Sequence, residues 1–308
     1  MKSKEKKELL LSKYLKEIEQ LPLMTSDGHG YVRKNAFICP LCLKLIYIDQ
    51  LGKEVNSYIT LEHIPPENLS GKPLVLTCKD CNSNCGHDLD VYLRNELEHR
   101  DGKYFNNPKG YVSKFEYGAN IVNAIMKEDE NGIVNIYIEN KHNAPGNVDR
   151  FVESTKACDG DLSIPGYFKL GNHRRKTEVV DVAILKSAYL FAFYKLGYRY
   201  ILSTNLNAIR KQILNPNEKV LPPFYLLFNE SLIPDTIPDD IYTFTLDGEK
   251  VLVVILTFKL QNSSYYHRFA TMMPMPHMKD LYLYNRLKNM YEIKGYVEVK
   301  YIGVARVE

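Results

Sequence analysis

Two Cys-x-x-Cys pairs, Cys39-Pro40-Leu41-Cys42 and Cys78-Lys79-Asp80-Cys81, are the residues of this 308-residue chain whose types and spacing point most directly to chemistry. Two tight turns carrying four thiolates supply the donor set of a tetrahedral zinc, and suit a module too short to bury much core. A redox pair would need only one such turn, and in a reducing compartment this spacing favours metal ligation over disulfides. Four thiolates leave no open position on the ion, so the zinc expected here is structural. Any catalysis must come from groups that it holds in place. Cys85 and Cys158 are left over and read as small buried hydrophobes.

Between the pairs stands Glu62-His63, and directly after the last cysteine stands Asn82. Hydrolysis of a phosphodiester needs a divalent ion to bear charge on the phosphoryl oxygens and a base of near-neutral pKa to deprotonate water. Glu62 and the amide oxygen of Asn82 are hard ligands suited to Mg²⁺ or Mn²⁺, and His63 is the base. Taken singly, Asn82 reads equally as a helix N-cap, His63 as a hydrogen-bonded structural histidine and Glu62 as a solvated carboxylate. Their order along the chain joins them: knuckle, strand, loop, strand, knuckle, helix brings a strand end and a helix start together.

The positioning elements follow from pattern. Residues 44–48, 57–61 and 73–77 read as short strands, residues 68–72 as a loop, and the apolar spacing of Leu89, Val91, Tyr92, Leu93 and Leu97 as an amphipathic helix starting near Asn82. Leucines at helical spacing mark an N-terminal helix over 1–20. After Asp101-Gly102 and Asn106-Asn107-Pro108 the composition changes, which places a boundary between a module at 21–105 and a domain at 106–308. In the latter, 119–126 and 133–139 form a hairpin around Asp129-Glu130-Asn131-Gly132. Residues 179–196 form a buried helix and 206–214 a second one, and strands follow at 224–228, 241–246, 251–260 and 296–302. The fold class is α+β.

With 45% hydrophobic and 25% charged residues the chain can bury real cores, and two domains are expected. A net charge of +3 is too small for indiscriminate coating of DNA, so nucleic-acid affinity must come from local patches. Lys72, Lys79 and Arg94 flank the Glu-His-Asn group in sequence, and His173-Arg174-Arg175-Lys176 is the densest basic run, with Arg210-Lys211 on a predicted helix. The tyrosines at 189, 194, 198 and 200 read as core packing. No apolar run is long enough to span a bilayer and none resembles a signal peptide, so a cytoplasmic protein without a membrane partner is expected.

The segment Cys39-x-x-Cys42, Leu61-Glu62-His63-Ile64-Pro65-Pro66, Ser70-Gly71-Lys72, Leu76-Thr77-Cys78-x-x-Cys81-Asn82, Gly86 and Asp90 resembles the HNH, or ββα-metal, endonucleases in their form with a four-cysteine zinc knuckle. It covers about a quarter of the chain. The resemblance implies two strands and a helix clasping one catalytic ion. It makes Glu62 and Asn82 metal ligands and His63 the residue that activates water, with cleavage leaving a 3′-hydroxyl and a 5′-phosphate. It also implies DNA as the partner, a restriction or anti-phage role, and a homodimer or two successive events for double-strand cutting. Three positions depart from the pattern. The acidic ligand is Glu where Asp is common. The middle asparagine that orients the histidine aligns near Pro73, which leaves that role unfilled, with Asn68 in the loop as a candidate for it. A helical histidine ligand is replaced by Gly86, leaving His87 as a further metal ligand. Two other readings stay open: a zinc-knuckle binding module without catalysis, and an RNase or a nuclease gated by a ligand of the second domain.

Overall fold

The computed structural model describes residues 3–21, 35–51, 55–101, 110–117, 119–156, 167–169, 177–222, 226–228, 233, 236–246, 248–261, 263, 265–279, 281–294 and 305–306. The expected α+β class holds: helices accompany sheets whose strand pairs are all antiparallel. In chain order the first elements are α1 (Ser3–Glu19), β1 (Ala36–Ile38), β2 (Leu45–Tyr47), α2 (Ile48–Leu51), α3 (Val55–Tyr58), β3 (Ile59–Ile64) and β4 (Lys72–Cys78). Then come α4 (Lys79–Cys85), a π-helical turn (Gly86–Asp90) and α5 (Val91–Arg100).

The chain folds as two units, and their limits differ from a division near residue 105. One unit takes residues 1–95 and 177–308, the other residues 96–176. The reason lies in the C-terminal half, whose longest helix packs on the knuckle segment and so joins the unit that a linear reading closes too early.

The smaller unit holds β5 (Tyr111–Tyr117), β6 (Asn120–Glu128), β7 (Val134–Tyr137), α6 (Asn147–Lys156) and β8 (Tyr167–Lys169), with sheet order β7-β6-β5-β8. The β6–β7 hairpin forms where turn chemistry predicts it. Asp129 Oδ1 accepts from the N–H groups of Asn131 and Ile133, and Gly132 takes the positive φ that the turn requires. Val122 and Phe151 make its small core, with Phe115 and Ile138 against them.

In the larger unit α7 (Thr177–Ile201) and α8 (Asn207–Leu214) lie beside a sheet of β9 (Leu226–Phe228), β10 (Asp240–Leu246), β11 (Glu249–Phe258), β12 (His267–Met273) and β13 (Ala305–Arg306), ordered β13-β10-β11-β12-β9. The final helix is α9 (Tyr282–Lys294). The strand expected at 296–302 lies outside the described residues. Most of α7 is buried, as its apolar circumference predicts, with Tyr194 and Leu196 half-buried and Lys195 and Arg199 exposed toward its C-terminal end. Its hydroxyls tie it to the knuckle: Tyr189 donates to Pro40 O at 2.6 Å, and Tyr198 donates to Ile38 O. Leu10, Tyr14 and Ile18 bury one face of α1, with Tyr14 stacked on Phe193 at 4.9 Å. Tyr189, Tyr198 and Tyr200 are core residues, as expected. Arg210 is buried too, donating to Ile201 O, Tyr189 and Asn207. It supports α8 instead of offering a phosphate contact. Among the described residues no helix is long and apolar enough to cross a membrane.

Candidate metal centre and catalytic cleft

The cysteine cluster forms where two hairpins end. Cys39 closes β1, and the chain reverses through residues 40–43, with Leu43 N–H donating to Cys39 O and Cys39 N–H to Lys44 O. Leu43 adopts a left-handed φ of 57° to make this turn. Cys78 ends β4, and its N–H points at Cys39 Sγ at 3.4 Å; Cys81 sits in the first turn of α4. The four sulfurs lie within 4.8 Å of one another, and Cys42 and Cys78 are 3.7 Å apart. Zinc–sulfur bonds of about 2.3 Å place tetrahedral sulfurs roughly 3.8 Å apart, so the cluster has the dimensions of a zinc site. Shared sulfur hydrogen bonds, first among them that with Cys39, push the Cys78 thiol down to about 7 and Cys42 lower still; the same sharing pushes Cys39 and Cys81 up. A bound cation would release the remaining protons. Cys85 is not part of the cluster: it is buried, and burial pushes its thiol up to about 12. Cys158 lies outside the described residues.

Glu62, His63 and Asn82 meet at one open cleft of about 460 Å³, lined also by Leu61, Pro66, Glu67, Asn68, Gly86, Asp90, Val91 and Gln261. Strand β3 runs through Glu62 and His63 to Ile64, further than the expected end at 61. The β3–β4 ladder slips between them: Glu62 pairs with Val75 and His63 with Pro73, leaving Leu74 as the extra residue of a bulge. A proline cannot donate to the ladder, and the bulge sharpens the local twist, which lets two consecutive side chains line one cleft. Asn82 is not the N-cap, a position that Cys78 takes. Its Nδ2 donates to Thr60 Oγ1 at 2.9 Å and Leu61 O at 3.0 Å. Both amide hydrogens are thereby used, and Oδ1 is the atom left to accept a ligand.

The register puts Pro73 opposite His63, the position that a histidine-orienting asparagine would occupy. Asn68 lines the same cleft, and its Oδ1 is buried without a partner. His87 is exposed in the π-turn, and Gly86 lines the cleft in its place. Lys72, Lys79 and Arg94 are exposed and none lines this cleft; Lys79 borders a second depression beside the cysteines, with Lys44, Tyr47 and Tyr58. Arg174, Arg175 and Lys176 lie outside the described residues.

Sequence reasoning missed Lys186. It projects from the middle of α7, fully buried, with Nζ 2.8 Å from Glu62 Oε1 and 2.8 and 2.9 Å from the two oxygens of Asp90. Burial alone would lower its pKa, but Asp90 and Glu62 outweigh that and hold the ammonium well above the usual lysine range. Glu62 is buried as well, and burial pushes its carboxyl up against the pull of Lys186. The only available signal was a lysine inside an otherwise apolar helical run, a position where an unpaired charge would be costly.

The cleft presents oxygen donors: the Glu62 carboxylate, one of whose oxygens Lys186 engages, and an Asn82 amide oxygen held by the hydrogen bonds of its own amide nitrogen. No protein-family model matches this chain, and no curated protein or solved structure matches it.

Proposed function

We propose that this chain is a metal-dependent endonuclease of the HNH type, hydrolysing DNA phosphodiester bonds, with a structural Zn²⁺ in the cysteine cluster and one Mg²⁺ or Mn²⁺ in the cleft. The observation that carries the reading is the convergence of His63, Asn82 and Glu62 on one open cleft, from β3 and from α4, the helix that also carries Cys81 of the cysteine cluster. His63 takes a proton from water, a role for which its partly exposed position beside the open space is suited. Glu62 and Asn82 would hold the ion, and hydrogen bonds to Thr60 and Leu61 fix the Asn82 amide nitrogen, leaving its oxygen as the donor atom. The ion would bear charge developing on the phosphoryl oxygens and the leaving group.

A second reading is favoured by one observation, the engagement of Glu62 by Lys186. In it the carboxylate is a structural anchor and the module binds nucleic acid without cutting it. One experiment separates the two: purified protein with Mn²⁺ or Mg²⁺ is incubated with supercoiled plasmid, single-stranded DNA and RNA, beside a zinc-retaining His63→Ala variant. Cleavage by the wild type alone supports the nuclease, and cleavage of RNA alone reassigns its substrate. No cleavage, with nucleic acid still bound, leaves the binding module.

A further inference from the structure

Lys186 sits where a cation would sit. Its ammonium lies within 2.9 Å of three carboxylate oxygens from two residues, buried behind Glu62 and Asp90, which line the cleft. Glu62 comes from β3 and Asp90 from the end of the π-turn, which adds a residue to the helix and sets the face that Asp90 presents. Lys186 comes from a helix about a hundred residues further on, so no local spacing builds this contact. One ammonium against two carboxylates leaves a net charge of −1.

We propose that Lys186 is a positioning residue that acts as a resident counter-ion: it fixes Glu62 and Asp90 in the ion-free protein and keeps the cleft's own affinity for a divalent ion low, so that loading depends on the phosphate the substrate brings. The inference rests on the nuclease reading for the claim that a divalent ion belongs in the cleft. A Mg²⁺-type ion is commonly held by one or two carboxylates together with substrate phosphates. With Glu62 Oε1 and both Asp90 oxygens engaged by the ammonium, the buried carboxylate end of the cleft keeps only the second Glu62 oxygen for such an ion, beside the neutral amide oxygens of Asn82 and Asn68 and the rim carboxylate of Glu67. Removing the lysine charge frees both carboxylates and doubles the local negative charge; neutralising Asp90 cancels it.

The test is a Mn²⁺ titration, by calorimetry and electron paramagnetic resonance, of zinc-loaded full-length protein without nucleic acid. Wild type, Lys186→Met and Asp90→Asn are compared, with circular dichroism and zinc content reporting folding. The expected order of affinity is Lys186→Met above wild type above Asp90→Asn, with the first step at least about tenfold, as an added full charge within a few ångströms of a dication implies. Mn²⁺ should also raise the melting temperature of Lys186→Met more than that of the wild type. A purely structural lysine predicts the opposite, because a loosened site binds Mn²⁺ no better or worse; that result, or no binding by any of the three, overturns the proposal. Should Lys186→Met fail to fold, Asp90→Asn carries the test, and an affinity equal to the wild type overturns it. Because the titration contains no substrate, absent cleavage in the plasmid assay with the expected affinity order would sink the nuclease reading and leave the counter-ion role of Lys186 standing.

Discussion

The cysteine cluster and the cleft share α4, which carries both Cys81 and Asn82, yet they are assembled in opposite ways. The cluster is made from two local turns, each of which sets the spacing of its own cysteine pair, and the fold brings the two pairs together. Behind the cleft, Lys186 meets Glu62 and Asp90 from a distant part of the chain, and the three bring full charges into a largely buried site. The contrast separates two kinds of stability: one set by a ligand, the other by mutual neutralisation of buried ions.

The largest effect expected from breaking that contrast is at the cluster. Structural zinc contributes on the order of 10 kcal/mol to small folded modules at neutral pH, comparable to the whole stability of an ordinary domain. Cys81→Ser, or chelation, should therefore abolish zinc content and unfold residues 36–95 together, as seen by elemental analysis and loss of amide protection. A module that keeps its protection without zinc would mean that the packing of α7 on it is sufficient. At the cleft the cost is smaller but still large. Lys186→Met strands the buried Glu62 carboxylate and the partly exposed Asp90, and breaking a buried pair in this way costs about 3–5 kcal/mol, measurable by denaturant unfolding at neutral pH. Glu62→Gln should cost less, because Lys186 keeps Asp90.

Gly71 tests the rim that the cleft shares with neither charged cluster. A Cβ there would lie 1.4 Å from the carbonyl oxygen of Pro65, so Gly71→Ala forces the loop carrying Pro66, Glu67 and Asn68 away from the end of β3. Overpacking of this kind typically costs about 1–3 kcal/mol. Cleavage activity should fall more than melting temperature, since His63 is one of the residues this rim faces. Equal loss of both would assign the glycine to stability alone.

How much of this was legible from the chain follows the same division. The four clustered cysteines, both strands of the β3–β4 hairpin and the trio Glu62, His63 and Asn82 sit within one stretch of sequence, where spacing and turn chemistry act directly. Asn82 illustrates the limit: its type marks it as a cap, but the helix starts at Lys79 because Cys78 must end the strand at the metal cluster, and the amide turns back onto β3 instead. The bulge at Leu74 was not readable, because register depends on how β3 twists against β4 and not on either sequence alone. Lys186 and the joining of 177–308 to the knuckle were not readable either, since both depend on which long-range face α7 finds.

The smallest effect expected lies inside the knuckle and would sharpen the claim that its geometry is ligand-driven. Leu43 holds a left-handed backbone at φ 57°, a conformation that costs a non-glycine residue about 1–2 kcal/mol. Glycine avoids that strain but gives back roughly 0.5–1 kcal/mol in unfolded-chain entropy, so Leu43→Gly should be neutral to stabilising by up to about 1 kcal/mol, and zinc affinity should hold or rise slightly. If the zinc sets the turn, the gain appears in metal affinity measured by competition with a chromophoric chelator, and is small in the melting temperature of the zinc-saturated protein. If the gain appears instead as a higher melting temperature of the zinc-free chain, the turn is set by the hydrogen bonds between Cys39, Leu43 and Lys44, and the metal only fills a site already made.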